Sequence, residues 1–392
     1  MALISGASTG LQLPPLSLYI HVPWCVRKCP YCDFNSHAQR GEIPQADYLQ
    51  ALLDDLDAEL NWVQGRTLQS IFIGGGTPSL MEATFYQQLL EQIEQRIPFA
   101  DGIEITLEAN PGTFEQARFA GYREAGINRL SLGIQSFDDG CLQALGRIHS
   151  GAEAEQAVAQ AQAIGFERLN LDLMHGLPGQ TPTMALADLE RAIGLGTTHL
   201  SWYQLTIEPN TEFHSRPPRL PEDEALWAIQ EQGQARLSEA GFEQYEISGY
   251  CKVGQQCRHN LNYWRFGDYL GIGAGAHAKL SDPLTERGGQ IGRLVRRWKA
   301  RQPKAYLAGL NRAEQRVIEA DELALEFMMN ALRLSDGVEA QLFEQRTGLP
   351  LATIEPQLTR ARSLGLLEQD PALLRPTLQG RRFLNELLEL FV

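Results

Sequence analysis

No stretch of this chain approaches the roughly 18 consecutive apolar residues of a membrane-crossing helix, so no transmembrane segment is expected. Residues 1–15 lack the basic start and apolar run of a signal peptide and read as a flexible N-terminal arm. Basic residues are outnumbered 34 to 48, giving a net charge of −14. A nucleic-acid binder needs a basic footprint, so nucleic acid is not an expected partner. Cysteine is scarce: six in 392 residues make no disulfide scaffold and fit a reducing, cytoplasmic setting. There is no repeat of fixed period and no low-complexity segment. What remains is ordinary globular material, 43% hydrophobic, long enough for one large α/β domain and a smaller module.

Three of the six cysteines stand together in Cys25-Val26-Arg27-Lys28-Cys29-Pro30-Tyr31-Cys32, just after the apolar strand Leu16–Val22. Three thiolates at C-x3-C-x2-C spacing can hold three irons of a 4Fe–4S cubane and leave the fourth open to a small chelating molecule. A zinc knuckle is the rival reading, with His21 or His37 as fourth ligand, although no second C-x2-C follows. Cys251 and Cys257, beside His259, read as buried free thiols or a second metal site, and Cys141 as a helix-packing thiol.

Apolar, β-rich runs alternate with amphipathic ones. Strands are expected over Leu16–Val22, Ser70–Ile73, Glu104–Glu108, Arg129–Ile134, Leu169–Met174 and His199–Leu205. Helices are expected over Ala46–Trp62, Thr84–Ile97, Phe114–Ala125, Ala152–Ile164, Thr183–Ile193 and Glu222–Ala240. Sixfold alternation implies a parallel sheet with helices outside, but spacing alone does not separate a barrel from a doubly wound sheet. Residues 245–304 are less regular and rich in glycine and aromatics. Residues 305–392 are mostly helical, and Leu367–Thr377 could form a small β-wing. A winged DNA reader is disfavoured by the acidity.

The cysteine loop, with Tyr19-Ile20-His21-Val22-Pro23-Trp24 before it and Asp33-Phe34-Asn35-Ser36-His37 after it, resembles the radical S-adenosylmethionine (SAM) superfamily. Within it the chain is similar to the coproporphyrinogen-oxidase-like branch, most of all to its heme chaperones. The resemblance implies a partial, open (β/α)6 barrel over residues 16–244, an extension over 245–304 and a smaller helical C-terminal domain. It implies a 4Fe–4S cluster on Cys25, Cys29 and Cys32, and SAM beside it. By position it assigns SAM contacts to Tyr19, Tyr31, Gly75, Gly76, Thr77, Glu108, Gln135, Arg147 and Asp172. Carboxylates suit ribose hydroxyls and a sulfonium, and arginine suits a carboxylate. Glycines at 74–76 let backbone approach a ligand closely.

His259-Asn260-Leu261-Asn262-Tyr263 fits H-N-x-x-Y, which the resemblance associates with heme, making His259 and Tyr263 candidate iron ligands. Trp264 and Phe266 could supply contact to a porphyrin face. The implied partners are heme, acceptor hemoproteins and an electron donor for the cluster. The run Gly271–His277 lacks the acid-bearing strand of a dinucleotide site and reads as close backbone approach to SAM or as tight packing. Arg293, Arg296, Arg297, Lys299, Arg301 and Lys304 read as a solvated helix face, or as a patch for propionates, a partner or peripheral contact with anionic lipid. The alternative function is oxygen-independent coproporphyrinogen III oxidase. Family oxidases add a cysteine two residues after the third, where this chain has Phe34, and a longer N-terminal extension. Whether SAM is turned over is left open by the sequence.

Overall fold

The computed structural model describes residues 10–287, 290–309 and 313–392, so most of the expected N-terminal arm lies outside the described residues. One large sheet dominates. Its strands are β1 (Leu16–Val22), β2 (Leu68–Gly75), β3 (Phe99–Ala109), β4 (Arg129–Gln135), β5 (Arg168–His175), β6 (His199–Gln204), β7 (Glu243–Gln244) and β8 (Gly249–Cys251). It continues with β9 (Asp268–Ile272), β10 (His277–Arg287), β11 (Gln290–Trp298) and β12 (Glu314–Val317). Their spatial order is β12-β11-β10-β9-β1-β2-β3-β4-β5-β6-β8-β7.

The first six strands pair in parallel and in sequence order. Right-handed crossovers that always step the same way leave the helices on one face, whereas a doubly wound sheet reverses its order at a switch point. No reversal occurs among β1 to β6, which decides for the single-wound, barrel-like arrangement. It stays open, since β7 and β12 do not pair with each other. Strands buried on both faces read as near-continuous apolar runs, and β1 (LSLYIHV) is buried at six of seven positions.

The outer helices are α1 (Gln45–Glu59), α2 (Ala83–Arg96), α3 (Gly151–Ile164), α4 (Pro182–Gly194) and α5 (Asp223–Glu239). The expected helix over 114–125 is instead two short pieces, Thr113–Gln116 and Phe119–Glu124. Helix α3 begins with a reciprocal Ser150–Glu153 capping box and ends at Gly165, whose φ of +96° suits glycine. In α1, Tyr48, Leu52, Leu53 and Leu56 face the sheet core, and Tyr48 Oη donates to the His21 carbonyl at 2.6 Å. Each such buried Leu contributes about 1.5–3 kcal/mol.

The segment read as irregular is well ordered. β9 extends the parallel sheet beside β1, and β10–β12 add an antiparallel meander. Between β8 and β9 lies α6 (Arg258–Trp264). The C-terminal helices, led by α7 (Ala320–Ala331), surround a second core of Phe327, Phe343, Leu358, Leu367 and Leu387. The expected wing reduces to Leu373–Leu374, which pairs with Val338–Glu339, and a single bridge from Leu367 to Pro376.

Candidate functional site

Cysteine loop and glycine turn hold each other. Trp24–Cys25 pairs with His37–Ala38, closing the loop into a ring. Beneath it, Gly76 N donates to the Val22 carbonyl and Thr77 N to the Trp24 carbonyl, both at 2.7 Å. A Cβ on Gly76 would overlap the Trp24 carbonyl, and one on Gly75, at φ +120°, would stand 2.7 Å from the His21 ring. The glycines are therefore required by close approach. Cys25 is buried, and burial raises its thiol pKa. The Cys29 sulfur lies 3.6 Å from Arg147 Nη1, and the Cys32 sulfur 3.5 Å from Ser36 Oγ. Both rival zinc ligands are committed elsewhere. His21 bonds Tyr19 Oη and the Asn35 carbonyl through its two nitrogens, and His37 Nε2 bonds Asn35 Oδ1 and the Arg301 carbonyl.

A cavity of about 280 Å³ opens beside the three thiols. Tyr31, Gly75, Gly76, Thr77, Glu108, Gln135, Arg147 and Asp172 line it, brought together from the C-terminal ends of β2 to β5 and the loops between. Glu108 accepts from Gly75 N at 3.1 Å, and burial, then the Asp172 carboxylate, push its pKa up to about 8. Asp172 is itself raised by burial, although Ser131 Oγ (2.9 Å) and Asn170 Nδ2 (2.8 Å) donate to it. Arg147 Nη2 donates to Asn110 Oδ1 and the Gly133 carbonyl at 2.8 Å, while its buried Nε has no partner among the described residues. Gln135 has φ +68°, where β4 breaks register against β5, a conformation costing about 1–2 kcal/mol. Its Oε1 accepts from Tyr203 Oη at 2.8 Å.

Tyr19 lies on the other side of this wall. It lines a second cavity, of about 660 Å³, with His259, Tyr263, Tyr269, His277, Lys299 and Arg301. Phe34, Gly75 and Glu108 line both cavities. His259, in α6, faces the second one. Its Nδ1 is 3.2 Å from Ser70 Oγ, its ring lies 5.2 Å from that of Phe72, and Nε2 has no hydrogen-bond partner among the described residues. Burial, then the charge of Arg129, lower its pKa to about 3, so the imidazole is neutral at physiological pH.

The radical SAM superfamily model matches residues 19–192 and the HemN C-terminal domain model residues 318–383. Heme chaperone HemW of Escherichia coli strain K12 is 53% identical over 382 residues, covering 97% of this chain and 99% of the relative. HemW of Haemophilus influenzae is 54% identical, with the same coverage of both chains.

The chain belongs to the HemW family.

Among solved structures, E. coli coproporphyrinogen III oxidase (HemN), a radical SAM enzyme, superposes with a TM-score of 0.79 at 22% identity, over 97% of this chain and 90% of that one. It shows the shared fold. The radical SAM family carries a 4Fe–4S cluster and SAM, and the residues present fit both. Three thiols, Cys25, Cys29 and Cys32, border one cavity. Two carboxyls, Glu108 and Asp172, and three cations, Arg27, Lys28 and Arg147, line the same space, which suits an occupant carrying both signs of charge.

Several neighbours escaped sequence reading. Asn110, Ser131, Gly133 and Tyr203 line the first cavity. Ser131 could have been found, because it alternates with Gly133 along one face of β4. Tyr203 is near only through the pairing of β5 with β6. In this HemW-family chain, Trp264 and Phe266 turn away from the second cavity. Phe266 is 1% exposed in the second core against Phe327, and Trp264 lies under Arg333. Cys251 and Cys257 are buried free thiols, and Gly273 and Gly275 pack against His21 and Asn35. The basic run is strand β11 and its exit, not a helix face. Arg293 pairs with Asp282, Arg296 with Glu326, Arg297 with Glu59, and Lys299 with Asp55 and Glu59. As a lipid-binding patch, the run retains Arg301 and Lys304 without a carboxylate partner among the described residues.

Proposed function

We propose that this chain is a cytoplasmic radical SAM-type heme chaperone that binds a 4Fe–4S cluster, SAM and heme and passes heme to acceptor hemoproteins. The observation that carries the reading is the shared wall. A cavity bordered by three thiols meets, across Phe34, Gly75 and Glu108, a larger cavity faced by an unpaired imidazole nitrogen. Cavities of this size bury most of a small ligand.

Cys25, Cys29 and Cys32 would hold three irons. When bound, the cluster with SAM supplies one-electron chemistry at a sulfonium, drawing on an external electron donor. The chain's own residues orient the ligand. Backbone at Gly75–Thr77 allows close approach, Glu108 and Asp172 meet cationic and hydroxyl groups, Arg147 brings a guanidinium to the cavity wall for a carboxylate, and Tyr31 walls the cavity beside the thiols. In the second cavity, His259, neutral at physiological pH, is the first candidate ligand and Tyr263 the second. Tyr19 lines the second cavity, its hydroxyl held by His21 at 2.9 Å.

The test is a hemin titration of the anaerobically reconstituted protein, followed by mixing with an apo-hemoprotein. A saturable Soret shift and transfer to the acceptor are expected, and absence of either rejects the chaperone reading. Anaerobic conversion of coproporphyrinogen III by the same preparation would instead establish the oxidase, and none is expected.

A further inference from the structure

The second cavity has an uneven charge inventory. Lys299 lines it, but its ammonium sits between Asp55 Oδ1, at 2.5 Å, and Glu59. Glu108 brings an acid to the shared wall. His259 is neutral, and exposed His277, held below its ordinary range by burial and then by Arg296 and Arg301, brings little positive charge. Arg301 is the remaining cation of the lining, and its guanidinium has no carboxylate or hydrogen-bond partner among the described residues.

The backbone of Arg301 is fixed while its side chain is free. Its carbonyl accepts from Asn35 Nδ2 at 3.0 Å and bonds His37 Nε2 at 3.2 Å, both from the cysteine loop. A planar guanidinium on an anchored backbone is suited to bidentate recognition of a carboxylate at little ordering cost. Arg293, Arg296, Arg297 and Lys299 of the basic run are consumed by internal carboxylates, and Lys304, which has none among the described residues, does not line the cavity.

We propose that Arg301 is the specificity residue of the second cavity, pairing with a carboxylate on the edge of the tetrapyrrole whose iron faces His259. This rests on the heme reading above. It adds that the chain selects for acidic porphyrin edges, and not for the apolar ring alone.

The probes are hemin and hemin dimethyl ester, which share ring and iron but differ in edge charge. Each is titrated by Soret absorbance into the wild-type chain, Arg301→Gln and Arg301→Lys. For a partly exposed pair, Arg301→Gln should weaken hemin about fivefold and leave the ester within about twofold. Arg301→Lys, which keeps the charge without the fork, should fall between. The substitutions spare the backbone carbonyl that ties the cysteine loop. Unchanged hemin affinity, or equal losses for both probes, overturns the assignment. If the wild-type chain binds neither probe, the heme reading itself fails, an outcome distinct from a wild type that binds hemin and a variant that binds it equally.

Discussion

The two cavities share a wall but were assembled differently. The first takes its lining from one loop and successive strand ends, where barrel folds present functional side chains. It is small and lined by both signs of charge, Glu108 and Asp172 with Arg27, Lys28 and Arg147. The second is more than twice as large and takes residues from β1, α6, the β9–β10 turn and the exit of β11. Its lining runs from Tyr19 to Arg301, mixing aromatic rings with imidazoles. A chelated ligand carrying both signs of charge suits the first cavity and a broad ring the second. On the proposed reading, cofactor holding and cargo holding are separable within one sheet.

The largest test of separability is removal of a cluster ligand. Cys25→Ser, Cys29→Ser or Cys32→Ser should abolish the 4Fe–4S absorption after reconstitution and leave hemin titration essentially unchanged. Parallel loss of hemin binding would show that the cavities are one site. In the opposite direction, His259→Ala should cost hemin more than the roughly ten- to hundredfold typical of losing an outer-shell partner, while SAM binding by calorimetry stays as it was.

A smaller effect concerns the wall. The Glu108 carboxyl, pushed up to about 8, is largely protonated at neutral pH when no cation is nearby. A cation prefers it ionised, so SAM affinity should rise with pH up to about 8 and level off above. The rise is limited to about tenfold per pH unit. Glu108→Gln should flatten that profile. The sign for stability is the reverse. The unfolded carboxyl ionises near its ordinary 4.5, so the ligand-free protein loses stability as pH climbs from there to about 8. Thermal melts of the glutamine variant should lack that decline.

Gly76→Ala probes the joint below the loop, since its methyl would meet the Trp24 carbonyl. A loss of about 1–3 kcal/mol is expected in the melting transition, with weaker cluster retention. Retention of both would mean that the loop is not held as tightly as it packs.

Much of the first cavity was legible because its chemistry is local. The three thiols, the glycine turn and the polar residues ending apolar strands are close to elements whose periodicity is plain. Six parallel strands were read, β1 without error, although β3, read from Glu104, begins five residues earlier at Phe99. The second cavity was harder. Residues 245–304 lack regular alternation, since glycines at 271, 273 and 275 serve packing, so β9 and β10 went unread. Charges at 293, 296 and 297 resemble a helix face until β10 and β12 pair with β11 on either side. The direction of Trp264 and Phe266 depends on a C-terminal core that no local pattern encodes. His259 and Tyr263 were found by motif, and only the fold shows that they share a face of α6 while Trp264 does not.

Asn35 carries a consequence for how the chain can be divided. Its amide donates to the carbonyls of Ala274 and Arg301, so the loop bearing the three thiols is moored to strands that arrive more than 230 residues later. A fragment ending at residue 244 would keep every predicted cluster ligand and lose the moorings of Asn35 and His37. The barrel that looks self-contained on paper thus has its cofactor loop finished by the last part of the sheet to be synthesised.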